Sequence, residues 1–226
     1  MVNKHRKKVA KVLRRKQRRL GDLINLTIAQ SELDLPDDQR LCYYQGYHDV
    51  ASIFLAALGG ASTKTMQQHP PSSGDNSNAS VTEQATSMGL DLSMHVLYQI
   101  SLSHFREPMR NNFLQLQATL RLVLFPLLYM MDPELHAHLH ACGMEPFFAL
   151  SWVITWFSHD IRDTALVKRL FDVFLVSHPL MPIYLSVAML CHPNNRQEVL
   201  ATPCEFAELH NTLSGLPKNS SMVGWR

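Results

Sequence analysis

The chain has 226 residues, of which 46% are hydrophobic and 18% are charged, and its formal net charge is +2. This length allows one large domain without forcing two, and the apolar fraction is sufficient for a substantial hydrophobic core. The composition therefore excludes a chain that is disordered throughout.

The cysteines and the apolar stretches indicate a cytoplasmic protein. The four cysteines are widely scattered, without the close spacing of a zinc or redox motif: Cys42, Cys142, Cys191 and Cys204. We therefore expect reduced thiols. The longest apolar stretches, at 122–131 and 147–157, are shorter than the roughly 20 residues that cross a bilayer, so we expect no transmembrane segment. No apolar region of a signal peptide follows the N-terminus.

Positive charge is concentrated in residues 1–19, which contain ten of the 21 Lys and Arg and none of the 19 Asp and Glu. This segment is predicted to begin the first helix, because apolar residues recur at three- and four-residue steps opposite the bases. The apolar stripe is Val9, Val12, Leu13, Leu20, Leu23, Ile24 and Ile28. The basic face is either solvated or binds a nucleic acid or an anionic membrane. Residues 1–42 lack aromatic side chains for base stacking, so we expect no nucleic-acid partner.

Turn residues at 35–38 end the first helix, and a second helix is predicted to follow segment 43–49. Its inward residues are predicted to be Val50, Ile53, Phe54, Ala57 and Leu58. Residues 61–90 are rich in Ser, Thr, Gln, Asn, Pro and Gly, which predicts a disordered insertion. Helical patterning resumes at 94–104 and 113–131.

The second half of the chain predicts four more helices and no strands, so the fold class is all-α. The first covers 147–157 and buries Trp152 and Trp156. The next begins at Asp163, with these residues inward: Leu166, Leu170, Phe171, Phe174 and Leu175. Arg169 and Asp172 lie one turn apart on it and are expected to orient it through polar contacts. A short apolar helix covers 182–191, and the last is predicted to begin with Thr202 as its N-cap.

Histidines at 136, 138 and 140 resemble a metal site, but alternate residues of a helix point in different directions. We therefore expect no metal site. The chain has no Walker loop, no nucleophile elbow and no dinucleotide fingerprint, so a stand-alone small-molecule enzyme with its own cofactor is not expected.

Segment 43–49 reads YYQGYHD and stands immediately before an apolar helix. Gly46 would allow the backbone to approach a partner closely, and a helix start directs N–H groups toward anions. Gln45 can accept a hydrogen bond from water while donating one to a phosphate oxygen. These residues alone also fit a polar turn capped by glutamine.

Segment 43–50, YYQGYHDV, resembles the Tyr-x-Gln-Gly motif of the TBC-domain Rab GTPase-activating proteins, in the form of one branch of that family. Residues 132–136 (DPELH) and 147–190, which begin FFALSWVITWF, resemble the same branch. Together these matches span most of residues 20–215.

The resemblance implies an all-helical, V-shaped domain over residues 1–226, expected to be truncated at both ends of a longer parent protein. It implies a Rab GTPase partner that carries the GTP and Mg²⁺, so the chain would need no cofactor of its own. Gln45 occupies the position of the family's glutamine finger, and its supporting residues are Tyr43, Tyr44, Gly46, Tyr47 and Asp49.

The family also uses an arginine finger upstream, where this chain offers Lys4 or Arg6. Lysine lacks the planar fork of arginine and should serve poorly. Two functions therefore remain open: a GTPase activator that supplies Gln45 in trans, or a catalytically impaired Rab-binding adaptor without the arginine finger. The branch suggests a Rab of the early secretory pathway, reached at the ER or Golgi surface through a partner or a C-terminal anchor.

Overall fold

The computed structural model of the chain describes residues 2–58, 78–110 and 112–219. Within these ranges it contains ten helices and no strand, which confirms the predicted all-α fold class. Most of the insertion predicted at 61–90 lies outside the described residues, but its last part is helical from Asn78 onward. Contacts between the helices divide the chain into two compact units, Met1–Arg110 and Asn111–Arg226.

Among its described residues, the first unit has three helices that pack against one another. They are α1 (Val2–Asp34), α2 (Tyr47–Leu58) and α3 (Asn78–Ser103), with a short 3-10 turn at Asp37–Gln39. In the apolar stripe of α1, Leu23 and Ile24 are buried and Ile28 is half-buried, and α2 and α3 pack against this helix. The predicted inward face of α2 is correct for Val50 and Phe54 and wrong for Ala57, which is exposed.

The part of the second unit that the structure describes contains seven helices. They are α4 (Leu114–Met131), α5 (Pro133–Ala141), α6 (Leu150–Ile154), α7 (Thr164–Val176), α8 (Met181–Leu190), α9 (Pro193–Ala201) and α10 (Phe206–Asn219). The middle of α4, Leu120–Leu124, has π-helical geometry, and a 3-10 turn, Pro146–Ala149, precedes α6. The predicted start of α7 at Asp163 is confirmed, and the Asp163 carboxylate caps the helix by accepting hydrogen bonds from the N–H groups of Ala165 and Leu166.

The helix predicted at 147–157 is shorter than expected. It ends at Ile154 because Trp156 and Phe157 adopt left-handed backbone angles, with φ of 49° and 64°. This turn directs the Trp156 ring against Phe171 and Phe174, with centroid distances of 5.1 and 5.4 Å. The predicted burial of both tryptophans in this segment is confirmed. The left-handed turn at Trp156 and Phe157, which the helical pattern did not predict, therefore occurs where Trp156 packs against α7.

Two further predictions for the second unit are wrong, and one of its helices was not predicted. Leu175 is exposed, because it lies on the outer face of α7. Helix α9 was not predicted, since its stretch is polar and lacks a helical apolar stripe. Thr202 does not cap the last helix, which begins at Phe206.

The prediction that all four cysteines are reduced is wrong for one pair. Cys142, at the end of α5, and Cys204, just before α10, form a disulfide bond. The sequence did not indicate this pair because 62 residues separate its members. Cys42 and Cys191 are not in a disulfide.

One helix of the described chain, α4, is long and apolar enough to cross a membrane, which the stretch at 122–131 alone did not indicate. It has 18 residues with a mean hydropathy of 1.3, and 22% of it is buried within the chain. Helices of this length and composition also occur in the cores of proteins that have no membrane span.

Candidate functional site

The loop before α2 is attached at its base to two other parts of the first unit. The N–H of Leu41 donates to Oγ of Ser31 on α1 at 3.1 Å. The N–H of Cys42 donates to the carbonyl of Met109, beyond the end of α3, at 2.7 Å. These two hydrogen bonds fix where the chain enters segment 43–49.

Two buried tyrosines hold the loop from below. Tyr44 and Tyr47 are 5% and 0% exposed, and their ring centroids are 5.5 Å apart. The hydroxyl of Tyr47 is 2.6 Å from Oγ of Ser101 on α3. Because the Ser101 hydroxyl donates to the carbonyl of Leu97 at 2.7 Å, Tyr47 is the donor in its own hydrogen bond.

Burial also keeps both phenols protonated. It raises the pKa of Tyr44 well above the ordinary range, and the neighbouring Tyr47 and Asp49 raise it further. Burial likewise raises the pKa of Tyr47. Both side chains are therefore neutral supports at physiological pH.

Gly46 forms the turn that starts α2. Its φ is +108°, a value that side-chain-bearing residues rarely adopt, and the residue is buried. The N–H of Tyr47 donates to the carbonyl of Tyr44 at 3.1 Å, and the N–H of Asp49 donates to the carbonyl of Gly46 at 2.9 Å. Glycine is required here by the backbone conformation.

Gln45 is exposed although it lies between buried Tyr44 and buried Gly46. Its side-chain amide has no hydrogen-bond partner among the residues that the structure describes. The amide can therefore offer both its carbonyl oxygen and its NH₂ group to a molecule outside the chain. The loop thus presents one polar side chain on a rigid, buried base.

Tyr43 and His48 lie on either side of this glutamine and contact each other. The hydroxyl of Tyr43 is 2.9 Å from Nδ1 of His48, and the two rings stack at 6.5 Å. Nε2 of His48 is 3.6 Å from Oδ1 of Asp49. The sequence did not predict the role of His48, because only the turn at Gly46 brings positions 43 and 48 together.

The two basic candidates for a second finger lie at the far end of α1. Arg6 is exposed, and Lys4 lies one turn from the start of the helix. At ~1.5 Å per residue, Arg6 is about 37 Å from Ser31 along the helix, and the chain from Leu41 to Gln45 spans at most ~14 Å. Because Leu41 is hydrogen-bonded to Ser31, the Cα atoms of Arg6 and Gln45 are at least roughly 15 Å apart. The structure does not place Arg6 beside Gln45.

The remaining predicted residues belong to the second unit. Trp152 and Trp156 are core residues, 0% and 3% exposed. Arg169 and Asp172 pair with each other across one turn of α7 at 4.0 Å, and their side chains are 77% and 68% exposed. An ion pair this exposed stabilises a fold by less than about 1 kcal/mol. Their contact lies within α7 and does not join it to a neighbouring helix.

The described residues contain no group of three His, Cys, Asp or Glu arranged to hold a metal ion. In the histidine run of α5, the rings of His136 and His140 stack at 6.1 Å, and Cys142 is bonded to Cys204. His136 also contacts the rings of Phe125 and Tyr129 on α4, whereas His140 is exposed.

Comparison with known proteins identifies the family to which the chain belongs. Residues 36–200, which include the Gln45 loop and the core tryptophans, match the Rab-GTPase-TBC domain family model. The chain is 34% identical over 187 residues to TBC1 domain family member 20 from Bos taurus and from Homo sapiens, which covers 83% of this chain and 38% of each relative. It is 31% identical over 181 residues to the GTPase-activating protein gyp10 of Schizosaccharomyces pombe, with 79% and 40% covered.

The chain therefore belongs to the Rab-GTPase-TBC domain family, which confirms the resemblance. It spans about two-fifths of the length of these relatives.

Proposed function

We propose that the chain is a GTPase-activating protein for a Rab-family GTPase and that Gln45 positions the hydrolytic water in trans. The observation that carries this proposal is the exposure of Gln45 on a loop whose neighbours, Tyr44 and Gly46, are buried. Family membership supports it, and one relative, from fission yeast, is itself named a GTPase-activating protein.

The chemistry requires little from the activator beyond position and charge. An amide carbonyl can accept a hydrogen bond from the attacking water while its NH₂ group donates to a phosphate oxygen. GTP and Mg²⁺ are bound by the Rab, so the chain contributes side chains and holds no cofactor. It is an activator in trans and not a stand-alone enzyme.

The rigid base of the loop serves the same purpose. A water-orienting contact accelerates hydrolysis only when it is formed in the transition state, so a glutamine on a mobile loop would lose much of its effect. The hydrogen bonds of Leu41, Cys42 and Tyr47 to three separate parts of the first unit restrict the motion of the backbone around Gln45.

A Rab-binding adaptor is the second candidate, and one observation favours it. Arginine fingers contribute roughly 10³–10⁵ in rate, and Arg6 lies at least roughly 15 Å from Gln45. If Lys4 and Arg6 do not reach the nucleotide, the chain binds Rab without strong stimulation.

The Rab partner proposed from the resemblance is one of the early secretory pathway. The site of action is then the cytoplasmic surface of the ER or Golgi membrane.

The test compares Gln45→Ala with Gln197→Ala, which changes an exposed glutamine on α9. Phosphate release from a GTP-loaded Rab of the early secretory pathway is measured at a saturating concentration of the chain. Binding is measured with the same Rab loaded with a non-hydrolysable GTP analogue. We expect Gln45→Ala to lose stimulation at least about a hundredfold while binding changes less than about tenfold. Gln197→Ala should behave as wild type.

A second measurement uses a Rab whose own switch glutamine has been replaced. Stimulation by the wild-type chain should persist, because Gln45 replaces that residue. Full stimulation by Gln45→Ala would refute the glutamine-finger role, whereas a wild-type chain that binds Rab and never stimulates it would establish the adaptor.

A further inference from the structure

The N-terminal half of α1 extends away from the helices that cover its other half. Of residues 6–18, every described side chain is exposed, whereas Leu23, Thr27 and Ser31 are fully buried. At ~1.5 Å per residue the exposed stretch is about 20 Å long. The first half of α1 is therefore accessible, whereas the second half of the same helix is packed.

The exposed half continues the same apolar stripe. Val9, Leu13 and Leu20 repeat at helical spacing in line with Ile24 and Thr27, which are buried. Val9 is 53% exposed and Leu13 is 54% exposed. Among the described residues, nothing covers this part of the stripe.

The opposite face is strongly basic. A shallow depression there is lined by Lys7, Ala10, Lys11, Arg14, Arg15 and Arg18. Two more bases lie on the apolar side: Lys16 falls within the stripe, between Val12 and Leu20, and Arg6 falls at its edge. Long basic side chains at such a border can extend their charges outward while their methylene groups remain on apolar surface.

We propose that this half of α1 binds the surface of an anionic membrane, with Val9 and Leu13 between the lipid headgroups and the bases against their phosphates. An amphipathic helix with a Lys- and Arg-rich polar face and an aliphatic opposite face suits this environment. The proposal concerns a surface separate from Gln45 and does not depend on the proposed GTPase activation.

Charge complementarity favours a membrane over the other occupants. A second copy of the chain would bring its own ten bases from residues 1–19 against these. A nucleic acid would pair with the bases and leave Val9 and Leu13 in water. A bilayer provides both a negative surface and an apolar layer, so it accounts for both faces of the helix.

The experiment measures binding of the full chain to vesicles of phosphatidylcholine with and without phosphatidylserine. We expect binding only to the anionic vesicles, weakened by added salt. Arg14→Gln with Arg15→Gln should weaken it about thirtyfold, because each base near an anionic surface strengthens binding about fivefold. Val9→Ser with Leu13→Ser should weaken it at least about tenfold.

Leu33→Ser and Arg162→Gln are matched controls, since both residues are exposed and lie outside this surface. They should bind as wild type, and circular dichroism should show unchanged helix content in every variant. No binding to anionic vesicles, or equal binding by the serine variant, would overturn the proposal. Tighter binding to a DNA duplex than to the vesicles, insensitive to the serine changes, would replace the membrane with a nucleic acid.

Discussion

The hydroxyl of Tyr43 and Nδ1 of His48 are 2.9 Å apart and close the turn that carries Gln45. Their rings also stack, so the contact restrains both ends of the exposed part of the loop. Tyr44 and Tyr47 restrain the same loop from the buried side. Gln45 is therefore held between a buried pair and a surface pair.

Removal of the surface contact should affect catalysis more than binding. Tyr43→Phe keeps the ring and removes the hydrogen bond, so we expect stimulated hydrolysis to fall about two- to fivefold, or ~0.5–1 kcal/mol. Rab affinity should change less than about twofold. Tyr184→Phe, at an exposed tyrosine on α8, is the control. An equal loss of affinity and rate would assign Tyr43 to the binding surface instead.

Alanine at Gly46 should strain the loop, because its φ is +108°. We expect Gly46→Ala to lower the free energy of unfolding by about 1–3 kcal/mol and to reduce stimulation strongly. Gly143→Ala is the matched control: its φ is also positive, at 66°, and an added Cβ would have no atom within 4 Å. If both variants lose similar stability and only Gly46→Ala loses stimulation, the turn itself is functional. Equal activity in the two would contradict this.

The stability of the second unit should depend on pH through Asp132. Burial raises the pKa of this carboxyl, but hydrogen bonds from Arg196 and the Leu135 N–H more than offset that effect and lower it overall. Nε of Arg196 is 2.5 Å from Oδ2 of Asp132. A lowered folded-state pKa stabilises the fold fully above the unfolded pKa of ~3.9, and this stabilisation is lost as the pH falls through the folded value.

Asp132→Asn should therefore lower the free energy of unfolding by about 1–2 kcal/mol at neutral pH, and by progressively less below pH ~4. Urea unfolding of wild type and variant over this pH range measures the difference. Asp163→Asn, at the capping aspartate of α7, should cost less, because Asp163 accepts only backbone N–H groups among the described residues. A cost that is constant with pH would exclude the Arg196 interaction as its cause.

Thiol labelling tests the disulfide. Under non-reducing, denaturing conditions the chain should react with iodoacetamide only at Cys42 and Cys191, and after reduction at all four cysteines. Peptide mass spectrometry should find Cys142 linked to Cys204 in the unreduced sample. If all four thiols react before reduction, the disulfide is absent, and the prediction of reduced cysteines made from their spacing is correct.

Local signals in the sequence predicted much of the fold. The apolar repeat of α1 and the turn after it predicted a helix that ends at Asp34. The pattern that begins at Asp163 predicted the start of α7, and the resemblance around segment 43–49 singled out Gln45. Each of these signals lies within a few residues of the feature it determines, so the sequence alone is sufficient to read it.

Tertiary packing decided the remaining features. It pairs Tyr47 with Ser101, 54 residues away, bends Trp156 and Phe157 into left-handed angles, and joins Cys142 to Cys204. It also covers the apolar stripe of α1 at Leu23 while leaving it exposed at Leu13. A periodic pattern determines which residues share a face of a helix, but whether that face is covered depends on residues distant in the chain.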